Sequence, residues 1–178
     1  MIPERIGTDR LLLRPLEAAD APRLVEALAD WQVVKWLAVV PWPYTAEDAA
    51  WFIAANAPGG SLREQGERTW ALSPRDGPAR LLGVVGLGEE LGYWLSAEAW
   101  GRGLATEAAR AVLAAHFDDR EASDVTSGFF DGNERSERVL LKLGFKEVGL
   151  RTRGCLARGE DVASHGMRLT RAGFLGPT

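Results

Sequence analysis

Cysteine and histidine are scarce in this 178-residue chain, which has one cysteine, Cys155, and two histidines, His116 and His165. A lone cysteine closes no internal disulfide, and these residues lie too far apart in sequence to form a metal-ligand pattern. A disulfide scaffold is therefore excluded, and no metal is expected. Long apolar runs are missing as well: nothing approaches the roughly 18 residues of a membrane span. The residues after Met1 lack the basic start and apolar centre of a secretory signal. The expected location is cytoplasmic, with no membrane partner. An excess of positive charge is also absent. Twenty-one Lys and Arg against 25 Asp and Glu give a formal net charge of -4, with a pI near 5.3. That balance argues against nucleic acid as a partner but not against a local anion site.

The composition is that of an ordinary globular protein, 46% hydrophobic and 26% charged. The length suits a single domain over 1–178, able to bury a core without covalent staples. No internal repeat, low-complexity tract or linker interrupts it. "TDRLLLRPL" (Thr8 to Leu16) has a β-compatible centre ended by Pro15. A helix follows with Leu24, Val25 and Leu28 at helical spacing and Asp20 placed to cap it, one residue before Ala21 and the tolerated early Pro22. After a Trp- and Pro-rich connection, "TAEDAAWFIAAN" opens a second helix, with Thr45 and Asp48 at capping-box spacing. "RTWALSP", "RLLGVVGL" and "ELGYWLS" read as a meander of three strands. From about Gly103 to Phe117 a helix places Leu104, Ala108, Ala111, Val112 and Ala115 on one face. The strand "SDVTSGFF", the loop and helix "DGNERSERVLLKLG", and the strands "FKEVGLRT" and "EDVASHGMRLT" complete the chain. The expected class is α/β: a mixed, twisted central sheet of about six or seven strands flanked by about four helices, with a helical crossover between parallel strands.

The stretch "WGRGLATEAARAVL" (Trp100 to Leu113) puts two glycines and an arginine between a strand and a helix. Glycines there let the backbone turn so that several N–H groups converge at a helix start. Those amides lack intrahelical acceptors, and the helix dipole adds partial positive charge, so the place suits a phosphate. Arg102 adds a full charge and Thr106 a hydroxyl donor. A sharp turn without a ligand accounts for the glycine spacing equally well. A P-loop would need lysine and then serine or threonine where Leu104 and Ala105 stand. A dinucleotide fingerprint starting at Gly101 would need glycine or alanine in place of Thr106.

Four separated segments, "TDRLLLRPL", "WPYTAEDAAWFI", "ELGYWLSAEAWGRGLATEA" and "DGNERSERVLLKLGFKEVG", resemble in order the GNAT superfamily of acyl-CoA-dependent N-acetyltransferases, and within it the branch of ribosomal-protein N-terminal acetyltransferases. The resemblance runs from about Thr8 to Thr170 and implies the GNAT fold, acetyl-CoA as co-substrate, and an amine acceptor that is a protein N-terminus or a small molecule. In the family's turn pattern Gly103 and Ala105 match the last positions, while Trp100 stands where glutamine or arginine is usual. By resemblance the amides of Gly101, Arg102, Gly103, Leu104, Ala105 and Thr106 hold the pyrophosphate. The strand backbone at Trp94, Leu95 and Ser96 would pair with the pantetheine arm as an added strand would.

Asn133, with Ser136 three residues on, stands at a helix start, where capping alone would explain an asparagine. The resemblance implies more: Asn133 touches the pantetheine region and Ser136 faces the thioester sulfur. Many relatives have a tyrosine acid four residues before the "GF" pair. Leu140 occupies that place here, which leaves Ser136, directly or through water, as the group that serves the departing thiolate. A base for the amine is sought in Glu90, which matches a glutamate common in the branch, with Glu89 and Glu160 in reserve; a solvated strand-end glutamate is the plainer reading of each. An α-amine, with a pKa of about 7.7 to 8.0 against about 10.4 for lysine, needs little help near neutrality. Cys155 has no nearby histidine, so attack is expected to be direct, without a covalent enzyme intermediate. A homodimer is expected from the late strands, which could leave an edge open. The rival function is a non-catalytic acyl-CoA-binding or sensing module.

Overall fold

The computed structural model describes residues 2–176; Met1, Pro177 and Thr178 lie outside the described residues. In chain order the elements are β1 (Ile6–Gly7), β2 (Leu11–Arg14), α1 (Ala21–Leu28), α2 (Trp31–Val34), α3 (Ala46–Asn56), α4 (Ser61–Glu64), β3 (Arg68–Pro74), β4 (Gly83–Leu87), β5 (Leu91–Leu95), α5 (Leu104–Phe117), β6 (Val125–Phe130), α6 (Glu134–Leu143), β7 (Lys146–Cys155) and β8 (Glu160–Leu169). The class is α/β, with more strands than the sequence pattern suggested. They form a five-stranded antiparallel sheet, β1-β2-β3-β4-β5, and a three-stranded antiparallel sheet, β6-β8-β7.

Helix starts follow local chemistry. Thr45 caps α3: its hydroxyl accepts from the Asp48 amide while Asp48 accepts from the Thr45 amide, the reciprocal box expected from the spacing. Asp20 does not cap α1 with its side chain as the sequence suggested, because the carboxylate is engaged elsewhere. Its carboxylate takes a two-bond fork from the Arg14 guanidinium at 2.7 and 2.8 Å, both residues are buried, and it also accepts from the Glu17 amide. The pair pins the start of α1 to β2.

Period-two alternation sorts the strand residues of the larger sheet to two faces. On one, Leu11, Leu13, Trp70, Leu72, Val85, Leu87, Leu91 and Leu95 pack against α5, α6 and the smaller sheet in one continuous core. Buried Ala108 and Ala109 let α5 lie close to that face. On the other face, Ala71 and Val84 meet Leu24 of α1 and Ala49 of α3, with Phe52 and Trp94 beside them.

The two sheets touch along only one end of β5. Glu90 and Thr126 form a parallel bridge, the Thr126 hydroxyl donates to the Glu89 carbonyl at 2.9 Å, and the Ser127 hydroxyl donates to the Leu91 carbonyl at 2.8 Å. Beyond Leu91 the strands no longer pair, and β6 continues with β8 as its partner. A gap therefore opens between β5 and β6.

Candidate active site

The gap belongs to a cleft of ≈1070 Å³ that runs through the molecule, reaching Trp100, Ala105, Asn133 and Ser136 on one side and Trp36, Trp51 and Glu67 on the other. The turn before α5 forms one mouth. Gly101 and Gly103 both adopt positive φ, 73° and 75°, a region strained for residues with a side chain. A Cβ at Gly101 would meet nothing within 4 Å, so conformation rather than crowding requires glycine there. The amides of Gly101 through Thr106 donate to no acceptor among the described residues. Arg102 is exposed, the Leu104 side chain is buried, and Thr106 is nearly fully buried. The turn is braced from behind by Glu107. Its carboxylate accepts from the Thr8 hydroxyl at 2.6 Å and from the Arg10 amide and Nε, and Arg10 Nη1 donates to the Arg102 carbonyl at 2.8 Å. Burial pushes the Glu107 carboxyl up, but these donors hold it below the ordinary glutamate value.

Ladder phase decides which strand groups face the gap. The Ser96 amide donates to the carbonyl of Leu82, the residue before β4, at 2.8 Å, and its hydroxyl donates to the same oxygen. With Trp94 in register with Val84, the alternation turns Trp94 and Ser96 backbone groups toward β4 and those of Tyr93 and Leu95 toward the gap. Of the three residues expected to pair with a pantetheine arm, Leu95 alone has its amide on the open edge, and Tyr93, which the sequence reading passed over, joins it. The Leu95 carbonyl accepts from Trp100 Nε1 at 2.9 Å. The Trp100 ring also lies under the Arg135 guanidinium, 3.8 Å from its centroid. Trp100 thus ties the end of β5 to the turn and holds a cation from α6 beside it.

Across the gap, the Asn133 side chain accepts from the Ser136 amide at 3.3 Å and caps α6. One turn along, the Ser136 hydroxyl lies 2.9 Å from the Tyr93 hydroxyl, which also approaches the Ser136 carbonyl at 3.2 Å. Burial pushes the Tyr93 phenol well up, the Ser136 bond only partly opposing it, so Tyr93 stays protonated. Leu140 is fully buried in the core. Glu90 lines the cleft and is gripped by Arg151 and Arg153, each at 2.5 Å. Burial raises its carboxyl, but the two arginines more than offset this and hold it below the usual range. Glu89 is exposed at the cleft lip; Glu160 does not line the cleft. Tyr93, Arg135 and the two arginines escaped the sequence reading because each acts through a contact between distant segments. Only the alternation of "RTR", which puts Arg151 and Arg153 on one strand face, carried a local signal.

A strand edge opened by a diverging neighbour and ending in an amide-rich glycine turn, with the Ser136 hydroxyl facing it from α6, is an arrangement suited to an acyl-CoA-dependent acetyltransferase. The chain belongs to the GNAT acetyltransferase family: the family's acetyltransferase (GNAT) domain matches residues 10–146. It is 28% identical over 153 residues to YoaA of Bacillus subtilis (strain 168), named an uncharacterized N-acetyltransferase, covering 82% of this chain and 84% of that protein. It is also 28% identical over 162 residues to YdaF of the same organism, provisionally named a ribosomal N-acetyltransferase, covering 85% of this chain and 86% of that one. Among solved structures, RimL, a ribosomal alpha-N-protein acetyltransferase in complex with coenzyme A, matches with a TM-score of 0.73 at 20% identity, over 95% of this chain and 99% of that one. Among the described residues no group of histidine, cysteine, aspartate or glutamate could hold a metal ion, and no helix is long and apolar enough to cross a membrane.

Proposed function

We propose that this chain moves an acetyl group from acetyl-CoA to a primary amine by direct attack in a ternary complex. The observation that carries the reading is the run of amides from Gly101 to Thr106 without acceptors, placed beside the open edge of β5. These amides, with Arg102 and the Trp100-held Arg135 near them, suit the pyrophosphate. The free amide of Leu95 and the backbone of Tyr93 suit the amide groups of the pantetheine arm. The thioester then lies in the gap between β5 and β6, opposite Ser136, and Asn133 at the head of α6 borders the arm.

The neutral amine attacks the thioester carbon; the tetrahedral adduct collapses, the C–S bond breaks, and coenzyme A leaves as a thiolate. In this reading the Ser136 hydroxyl donates to that sulfur while the Tyr93 hydroxyl donates to Ser136 Oγ, so Tyr93 positions and strengthens the donor. The proton lost by the amine passes to water. Glu90 is the candidate to receive it through that water, but with both oxygens taken up by arginines it is a weak base. An acceptor whose amine is already largely neutral suits such a site best, as an α-amine does. A protein N-terminus is therefore the favoured acceptor, and the cytoplasm, which supplies acetyl-CoA, the favoured compartment.

Thiol release from acetyl-CoA across N-terminal peptides and small amines, with mass spectrometry of the products, tests the proposal. Acetylated product with stoichiometric thiol is expected. Tight acetyl-CoA binding without turnover on any amine would instead define an acyl-CoA-sensing module.

A further inference from the structure

The acceptor half of the cleft holds a carboxylate without a counter-ion. Glu67, immediately before β3, is half-buried and folds onto Gly88 so closely that a Cβ there would lie 2.1 Å from its Oε1. Other shielded carboxylates are matched: Asp20 by Arg14, Glu90 by Arg151 and Arg153, Glu107 by Arg10. Arg68 Nη1 donates to the Glu67 backbone carbonyl at 3.0 Å, but among the described residues no lysine, arginine or histidine nitrogen forms an ion pair with the Glu67 carboxylate. Burial pushes its carboxyl above the ordinary value, the Glu89 backbone opposing this and the Glu89 charge adding to it. A partly desolvated carboxylate in that condition is stabilised by any cation brought to it.

The floor beside it is bare. Thr69, Gly86 and Gly92 lie in register across β3, β4 and β5, on the sheet face that carries Glu67 two residues earlier. A Cβ at Gly92 would meet nothing within 4 Å, and one at Gly86 would meet the Thr69 hydroxyl at 3.4 Å. A trough of small residues thus leads from Glu67 to the open edge of β5. Its length follows from strand geometry. Gly88 is level with Glu90, to whose carbonyl its amide donates, and four residues separate Glu90 from Trp94, roughly 13 Å of strand. A thioester beside Tyr93 to Leu95 would sit roughly 13 Å along the strand direction from the Glu67 carboxylate, so a cation about 3 Å from that carboxylate would lie roughly 10 Å from the attacking nitrogen. The thioester is too far away for Glu67 to take the proton of the attacking amine.

We propose that Glu67 binds a second cationic group of the acceptor, carried roughly 10 Å from the attacking nitrogen, so that the preferred acceptor is an amine with at least two positive charges. The inference rests on the transferase reading for the position of the thioester. Arg151 and Arg153 outnumber the single charge of Glu90 that they share, so that bank repels a cation, while Glu67, with the Glu89 charge acting on it, attracts one. A basic peptide and a polyamine share this chemistry.

The test titrates octamethylenediamine and octylamine into the protein saturated with coenzyme A. Calorimetry is expected to show the diamine bound about tenfold or more tighter than the monoamine, the usual scale for a charged hydrogen bond. Glu67→Gln should abolish that difference, Glu67→Asp should keep part of it, and the affinity for coenzyme A should stay unchanged in both. In turnover, a peptide with lysine at its third residue and the diamine are each compared with a neutral analogue, which separates the two sources. Equal diamine binding by wild type and Glu67→Gln, or no preference for the diamine over the monoamine, would overturn the assignment. Diamine binding lost with Glu67, but no acetyl transfer to any amine, would uphold it and defeat the transferase reading instead.

Discussion

Ser136 has separable roles in its backbone and its side chain. Its amide serves the Asn133 cap, whereas its hydroxyl meets only Tyr93. Ser136→Ala therefore keeps the cap, and the Tyr93 hydroxyl still has the Ser136 carbonyl at 3.2 Å to donate to. The stability cost is expected to stay within about 1 kcal/mol. If the hydroxyl donates to a sulfur that gains charge as the C–S bond breaks, its loss should lower kcat by roughly tenfold or more and leave the KM for acetyl-CoA nearly unchanged. Steady-state kinetics beside a thermal melt checks this; an unchanged kcat with a lowered Tm would make Ser136 purely structural. Tyr93→Phe should lower kcat in the same direction by less, because Ser136 remains. The Asn133 and Ser136 spacing was legible because a cap and the residue one turn later are a local pattern. Tyr93 was not, since "LGYWL" reads only as a buried strand, and the partner of its hydroxyl is chosen by how α6 packs 43 residues away.

The elements most legible in sequence were those with local punctuation. The Thr45 and Asp48 box starts α3, and the glycine turn starts α5, within a residue of where the pattern placed them. The division into two sheets was not legible, because β5 and β6 each alternate like ordinary strands and only their divergence after Glu90 and Thr126 separates them. Neither was the brace between β2 and α5: Arg10 and Glu107 are 97 residues apart. That brace has a measurable consequence. Glu107 is held below its ordinary pKa of 4.5 in the folded protein. Its contribution is thus fully present above that value and is lost as pH falls through the lower folded value. Arg10 is half-exposed, so screening limits the pair and Arg10→Ala should cost only about 1 kcal/mol. The urea midpoint of the wild type should drop as pH is lowered from about 6 to about 3, and the drop should be shallower in Arg10→Ala. Identical slopes would mean that Arg10 does not set the Glu107 titration. Because Arg10 also holds the Arg102 carbonyl, the variant should bind acetyl-CoA more weakly as well.

The whole molecule is two sheets joined at one end and fused through a shared core, with a cleft along the line where they part. Two surfaces follow from this. The first is the outer edge of β7, paired only with β8 and carrying exposed Val148 and Leu150. Strand edges of this kind take up a second copy, and sedimentation at micromolar concentration is expected to show a homodimer; a strictly monomeric boundary would remove the idea. The second surface is the gap itself. If acetyl-CoA sits between the amides of Gly101 to Thr106 and the β5 edge, as proposed, it binds only the folded chain and should raise stability by about 2.7 kcal/mol at a hundred times its Kd. Gly103 tests where the phosphates sit. At φ 75° asparagine is tolerated better than other side chains, so Gly103→Asn should keep much of the ligand-induced rise in Tm. Gly103→Glu adds more backbone strain together with a negative charge at the phosphates, and should lose the rise. Comparing each variant's melt with and without acetyl-CoA cancels that variant's own strain. An equal rise in the two variants would place the pyrophosphate away from this turn, because a charge held against a phosphate cannot leave its affinity unchanged.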